Sequence, residues 1–166
     1  LLKIYPYFSG YDYVHCHSNH AFAQLSAAGL YQFTISNFYV NGQQTERKIQ
    51  STIISTSPYI KVPASTFVRI LNSLNTTASA PLPAQVDCGS QLLLMIDLGN
   101  QQLTVNQRNL ILKNVDGTCS LAMMPTDASG FDMGMNIELG IPFLRGRCTY
   151  FDMGHERVGF ADAIQH

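Results

Sequence analysis

Charge is scarce in this sequence: Asp, Glu, Lys and Arg together make up 13% of its 166 residues, and the formal net charge is −1. So weak a balance offers no electrostatic hold on nucleic acid or an anionic membrane, and neither is expected as a partner. Long apolar runs are lacking too; none approaches the roughly twenty residues that a membrane-spanning helix requires. There is no low-complexity run and no repeat, and an apolar content of 46% excludes disorder by composition. No Cys-x-x-Cys pair occurs, which leaves a zinc ribbon or thioredoxin-like site without support, and no cofactor is expected. A signal peptide is also missing, and the first residue is Leu1. The reading is a fragment or processed piece whose targeting segment, if it has one, lies outside this sequence. What remains is enough chain for one domain with a real core.

Four cysteines are present, Cys16, Cys88, Cys119 and Cys148. An even count fits a disulfide-bonded secreted or lumenal protein, and it fits four unrelated buried thiols as well. Asn75-Thr76-Thr77 is an acceptor sequon for N-glycosylation, relevant only on the secretory route. His15-Cys16-His17-Ser18-Asn19-His20 gathers imidazoles and a thiol that suit zinc or copper. Strand alternation would set His15 and His17 on one side and Cys16 on the other. The spacing matches no standard metal site, so exposed histidines beside a cysteine paired elsewhere stand as the plainer reading.

Short extended runs dominate the chain. Leu30–Val40 is rich in aromatic and β-branched residues and ends at Asn41-Gly42, a strong hairpin-turn signal. Glu46–Gln50 then leads into a second strand, Ser51–Ile54. From Ser65 to Leu74 the pattern turns helical, with Phe67, Val68, Leu71 and Leu74 on one face and Ser65 or Thr66 as N-cap. A Ser/Thr/Pro-rich surface loop follows over residues 75–83. Further strands are predicted at Leu92–Leu98, at Gln102–Val105 after a Gly99-Asn100 turn, and at Leu110–Lys113. The last third holds Asn136–Phe143, Arg147–Phe151, a turn over residues 153–156 and Arg157–Ala161. Many strands with one covering helix predict an all-β domain.

Several strings have a familiar order. Gly29-Leu30-Tyr31-Gln32-Phe33-Thr34-Ile35 runs to Val40-Asn41-Gly42; Ser9-Gly10-Tyr11-Asp12 lies upstream. Leu139-Gly140-Ile141-Pro142-Phe143-Leu144-Arg145, Thr149-Tyr150-Phe151-Asp152 and Arg157-Val158-Gly159-Phe160-Ala161 follow near the end. Together, from about Tyr5 to Ala161, they resemble the carboxy-terminal lobe of the pepsin-like aspartic proteases. The resemblance implies that residues 1–166 form one such all-β lobe with one or two short helices, and that the amino-terminal lobe lies outside this chain. It implies a Cys88–Cys119 disulfide, closing a loop worth roughly 3.6 kcal/mol in the simple entropy model. Cys16 and Cys148, extra to the family pattern, are left to pair with each other.

In that family each lobe supplies one aspartate from an Asp-Thr-Gly loop, and the two carboxyls share a proton because like charges about 3 Å apart cannot both ionise. The corresponding stretch here is Ile53-Ile54-Ser55-Thr56-Ser57-Pro58-Tyr59. The resemblance therefore puts Ser55 where the catalytic aspartate belongs, Ser57 in place of a glycine, and Pro58 where one backbone donor is lost. Glu138, just before Leu139-Gly140, is the acid weighed as a displaced general acid/base, against a paired or solvated carboxylate. Asp87, Asp97, Asp116 and Asp152 read as surface charges. Ser55 lacks a Gly-x-Ser-x-Gly elbow and a sequence-adjacent histidine. The dense aromatics (Tyr5, Tyr7, Phe8, Tyr11, Tyr13, Phe22, Tyr31, Phe33, Phe38, Tyr39) read as core and cross-strand pairs rather than a binding face.

The functional expectation is a catalytically inactive lobe that binds a protein or peptide. Residues 55–59 and the Ser120–Met135 loop would border its cleft. The first alternative is half of a two-lobed endopeptidase whose other lobe carries an intact Asp-Thr-Gly; the second is a metal-binding protein using His15, His17 and His20. A homodimer is also conceivable, though it would bring two Ser55 side chains and no dyad. The expected location is secreted or lumenal.

Overall fold

The computed structural model describes residues 10–27, 29, 31–77, 82–99, 101–126 and 136–164. Tyr5, Tyr7, Phe8, Ser9, Leu30, Asn100, residues 78–81 and residues 127–135 of the Ser120–Met135 loop lie outside the described residues. The Asn41-Gly42 signal generates the longest hairpin. Both residues take positive φ, 49° and 79°, the handedness that a two-residue hairpin turn demands. Around them β2 (Gln32–Val40) pairs antiparallel with β3 (Gln43–Ile53), with Val40 opposite Gln43. Alternation along β2 buries Phe33 and Ile35, and beyond them Phe38 and Val40.

The polar Glu46–Gln50 stretch, expected to precede a separate strand, belongs to β3 itself. Its ladder to β2 carries the backbone through, while burial begins only at Ile49 and Ser51. The remaining strands are β1 (Ala21–Ala27), β4 (Ile60–Val62), β5 (Gln85–Val86), β6 (Leu94–Asp97), β7 (Gln102–Val105), β8 (Ile111–Lys113), β9 (Cys119–Leu121), β10 (Met123–Pro125), β11 (Ile137–Leu139), β12 (Arg147–Asp152) and β13 (Arg157–Asp162). They build a ten-stranded sheet ordered β10-β4-β11-β3-β2-β1-β13-β12, with β6 and β7 branching from β2, and a small sheet β5-β9-β8. β1 turns the corner: Ala21–Gln24 pair with β13, while Leu25 and Ala27 pair with β2 across a register shift.

Helix α1 (Ala64–Ser73) starts at Pro63 with no side-chain cap, so neither Ser65 nor Thr66 plays the predicted role. The Thr66 hydroxyl donates to the Glu46 carboxylate instead. Its buried face is Thr66, Phe67, Ile70 and Leu71, continued by Leu74, whereas Val68 is exposed. Two single turns complete the α-helices among the described residues. α2 (Gln107–Leu110), which takes in the first residue of the predicted Leu110–Lys113 strand, is capped by Asn106, whose side chain accepts from the Arg108 amide. α3 (Ile141–Leu144) interrupts the predicted Asn136–Phe143 strand, because Pro142 suits a first helical turn and cannot donate to a ladder.

The core gathers Phe33, Phe38, Phe143 and Phe160, each at most 1% exposed. The Phe160 ring lies 5.8 Å from Phe33 and 5.2 Å from Phe143. Burying one such ring is worth about 1.5–3 kcal/mol. Cys88–Cys119 ties the turn after β5 to β9, and Cys16–Cys148 ties the segment before β1 to β12. The second bridge spans 132 positions of sequence, a loop worth roughly 5 kcal/mol in the chain-entropy model.

The connection from β3 to β4 does not close a plain hairpin, since β11 lies between the two strands. β11 runs parallel to β3, with Ile137 opposite Ser51 and Leu139 opposite Ile53, and meets β4 antiparallel at Glu138–Lys61. Gly140 sits directly beneath the connecting loop, where a Cβ would come within 2.1 Å of the Tyr59 carbonyl oxygen and 2.5 Å of the Ser57 carbonyl oxygen.

Gly140→Ala is therefore expected to lower stability by roughly 2 kcal/mol or more in urea unfolding. Gly29→Ala, with open space around the new methyl, should be close to neutral; equal effects would contradict the packing described. The β12–β13 turn yields a second expectation. Asp152 accepts from Arg157 Nε at 2.7 Å, from His155 Nδ1 at 2.9 Å and from the His155 amide at 3.2 Å. The Arg157 bond, followed by those from His155, holds its carboxyl below the ordinary value. A lowered native pKa stabilises the fold above the unfolded-chain value and ceases to do so as pH falls through the native one. Acid titration of stability should thus show a component that Asp152→Asn removes.

Candidate functional site

Residues 54–59 leave β3, cross over β11 and enter β4. Their path is fixed by backbone hydrogen bonds. The Ile54 amide donates to the Leu139 carbonyl at 3.0 Å, the Ser57 amide to the Ile54 carbonyl at 3.0 Å, and the Ile141 amide to the Ser57 carbonyl at 2.8 Å. Ser57 closes the turn with its side chain: Oγ donates to the Tyr59 carbonyl at 3.0 Å and accepts from the Tyr59 amide at 3.2 Å. Ser57 thus has a structural task on this loop. Ser55, Thr56 and Pro58 are exposed, and Tyr59 is half-buried.

The loop presents hydroxyls rather than a carboxylate. Ser55 Oγ has no hydrogen-bond partner among the described residues, so no base is in contact to activate it as a nucleophile. Glu138 lies on the strand beneath and is engaged: its Oε2 is 3.0 Å from Lys61 Nζ across the β11–β4 contact. Lys61 is the site residue that sequence reading missed. The only signal for it was the Ile60-Lys61-Val62 alternation, which places Lys61 on the opposite face from two buried neighbours.

The other acids sit in turns. Asp87 accepts from the Gly89 amide at 2.6 Å, Asp97 from the Gly99 amide at 2.7 Å, and Asp116 from the Thr118 hydroxyl at 2.7 Å and amide at 3.0 Å. The Thr118 contacts hold the Asp116 carboxyl below its ordinary value. Asn75 follows α1 in the left-handed region, φ 53°, and is exposed.

The histidine cluster is dispersed. His15 Nδ1 lies 2.8 Å from Asp12 Oδ2. Burial opposes the charge on Asp12, and hydrogen bonds from the His15 ring and from the His15 and Val14 amides outweigh it, leaving the carboxyl below its ordinary value. His20 stacks in an aromatic group, with ring centroids 4.7 Å from Tyr11, 4.8 Å from Tyr150 and 5.8 Å from Phe22. His17 lines a different cavity beside Arg108 and Arg147, and Cys16 is consumed by its disulfide. No group of three or more His, Cys, Asp and Glu side chains among the described residues is placed to hold a metal ion. The alternation argument failed because the described stretch before β1 is not a strand; it carries an isolated bridge between Cys16 and Ala163 in place of a ladder.

The aromatics divide between two places. Phe33 and Phe38 are core, whereas Tyr11, His20, Phe22 and Tyr150 cluster by the β1–β13–β12 sheet. There the Phe22 ring covers Gly159, its cross-strand partner, and the Arg157 guanidinium stacks 4.1 Å from that ring. Tyr13 is exposed, and Tyr31 packs edge-on against Phe151 at 4.6 Å.

A family model described as eukaryotic aspartyl protease matches residues 6–163. Among curated proteins, Aspartic protease 6 of Caenorhabditis elegans is 28% identical over 160 residues, covering 93% of this chain and 40% of its own length. Renin of Rattus norvegicus is 28% identical over 162 residues, covering 92% and 40%. Aspartic protease 2 of Necator americanus is 31% identical over 81 residues, covering 49% of this chain and 18% of that protein. The chain thus spans about 40% of the length of Aspartic protease 6 and of renin. With the strand order, the threaded loop and a match running almost from end to end, the chain belongs to the eukaryotic aspartyl protease family.

Proposed function

We propose that this lobe holds an extended peptide or protein segment against the 54–59 loop without cutting it. One observation supports the reading: the loop presents Ser55 as an exposed hydroxyl with no hydrogen-bond partner among the described residues, at the position that the resemblance assigns to the family's catalytic carboxylate. Hydrolysis in the family depends on two acids sharing one proton around a water, and an unactivated hydroxyl neither stores that proton nor carries the charge. Glu138 does not take over, because its carboxylate is tied to Lys61. Exposed backbone beside Thr56 still offers the hydrogen-bonding groups that an extended chain uses. The family and the two disulfides fit a secreted or lumenal protein, and no helix among the described residues is long and apolar enough to cross a membrane. We assign the lobe to an extracellular, lysosomal or vacuolar setting.

A second reading has its own support in the 40% coverage of Aspartic protease 6 and renin. The lobe would then be one half of a two-lobed endopeptidase, with an amino-terminal lobe supplying an intact Asp-Thr-Gly. A homodimer would place two Ser55 side chains together and form no acid pair.

The purified chain is expected to leave a generic acid-protease substrate uncut across the acid-to-neutral pH range, while binding a pepstatin-type peptide in calorimetry. Ser55→Asp should remain inactive in the isolated lobe, because one carboxylate makes no dyad. Mixed with an amino-terminal lobe carrying Asp-Thr-Gly, Ser55→Asp should gain activity of at least roughly a hundredfold over wild type. Wild type cutting as fast in that mixture would favour the second reading. Cleavage by the lobe alone, stopped by the inhibitor, would overturn the proposal and direct attention to Glu138.

A further inference from the structure

We infer that Asn75 carries an N-linked glycan and that this glycan shields the Cys88–Cys119 disulfide. The inference rests on the secretory setting assigned above and is independent of the peptide-holding reading. Asn75-Thr76-Thr77 is the only Asn-x-Ser/Thr triplet in the sequence. Such a triplet is the acceptor used on the secretory route, and the product is bulky, hydrated and confined to the surface. Transfer takes place as the chain enters the lumen, before it folds. The fold then has one requirement to meet, which is open space around that side chain.

Asn75 meets that requirement through the way α1 ends. Leu74 closes the helix and is buried, and Asn75 follows it in the left-handed region at φ 53°. The Asn75 amide donates to the Asn72 carbonyl at 3.1 Å, and the Thr76 amide donates to the Leu71 carbonyl at 2.9 Å. This pair of bonds is the Schellman ending, whose left-handed position takes glycine first and asparagine next. Asn75 is left exposed. The cap accounts for an asparagine at 75, but the capping bonds end at Thr76. Thr77, which completes the acceptor, lies beyond them.

Asn75 also stands on the rim of an open groove of about 910 Å³, whose other walls are residues 85–90, Thr118 and Cys119. The Cys88–Cys119 bridge lies in this groove with unequal cover: Cys119 is 4% exposed, whereas Cys88 is exposed. Disulfide exchange requires a thiolate to reach a sulfur, so the bridge is open to attack from the Cys88 side. Around it Gln85, Asp87 and Thr118 are exposed polar residues that suit sugar hydroxyls. A glycan rooted at Asn75 would lie across the groove on these groups and cover Cys88. The second bridge is placed differently. Cys16 is buried, Cys148 is half-buried, and neither lines the groove.

The test expresses the whole chain behind a secretion signal in a eukaryotic host. Entry into the lumen is then supplied, which separates failure at Asn75 from failure of the assigned setting. Gel mobility and mass before and after peptide-N-glycosidase treatment should show one glycan on wild type and on Thr77→Ser, and none on Asn75→Gln or Thr77→Ala. That readout uses denatured protein and holds even where a variant misfolds. Folded wild type is next exposed to a mild thiol reductant, with and without prior enzymatic removal of the glycan, and freed cysteines are alkylated and quantified. Removal should speed reduction of Cys88–Cys119 several-fold and leave Cys16–Cys148 unchanged. The enzyme leaves a carboxylate at position 75, which repels an attacking thiolate, so faster reduction reports lost cover. An unmodified wild type, a glycan that survives Asn75→Gln, equal reduction of Cys88–Cys119 in the two states, or equal acceleration at both bridges would each overturn the inference.

Discussion

The lobe depends on one placement: β11 lies between β3 and β4, and the loop joining those two strands must pass over it. Only a residue without a side chain fits under the loop at that crossing, and Gly140 is there. The Leu139, Ser57 and Ile54 carbonyls then pin the loop from both ends. Rigidity at 54–59 thus comes from strand order and backbone hydrogen bonds rather than from the identity of the exposed side chains. A loop held in this way depends little on the side chain carried at Ser55, which is exposed. Preorganised backbone is also what a binding surface needs, since less ordering entropy remains to be lost on contact.

The same crossing ties the loop to α3 and the core. α3 begins at Gly140 and donates through Ile141 to the loop, while its Pro142 and Phe143 face the arginine-lined cavity. Phe143 serves twice, packing edge-on against Phe160 in the core and lying beneath Arg147. Phe143 thus joins the core to the guanidinium of Arg147.

Around this centre the disulfides and aromatics secure what the sheet leaves loose. Among the described residues the segment before β1 has one isolated β-bridge, and Cys16–Cys148 and the packing of Tyr11 and His20 on Tyr150 fasten it further. Histidines that might have been ligands are used here as packing and as partners for Asp12. Burial, and then Asp12, push the Tyr150 phenol above its ordinary pKa, and its hydroxyl is shielded without a hydrogen-bond partner. Polarity is tolerated on this face because the surrounding rings are themselves amphipathic.

Local signals in the sequence determined a good deal. Asn41-Gly42 set the β2–β3 hairpin, because positive φ at two adjacent residues is a property those residues carry with them. Gln102–Val105 and Arg157–Ala161 were legible from alternation, and the ordered motifs were enough to identify the family. Where local preference competed with packing, the sequence misled: Val68 rather than Ile70 on the buried face of α1, a hydroxyl cap that Thr66 gives up for Glu46, and a strand through Pro142. Only the tertiary structure decided that Lys61 would hold Glu138, that three histidines close in sequence would part, and that Arg108, Arg145, Arg147 and His17 would meet around one cavity. Those relations join residues far apart along the chain or divide near neighbours between opposite sides of a sheet. Hydrogen-bond preferences of single residues specify turns and strands, but strand order and the path of loops across it specify which side chains share a space.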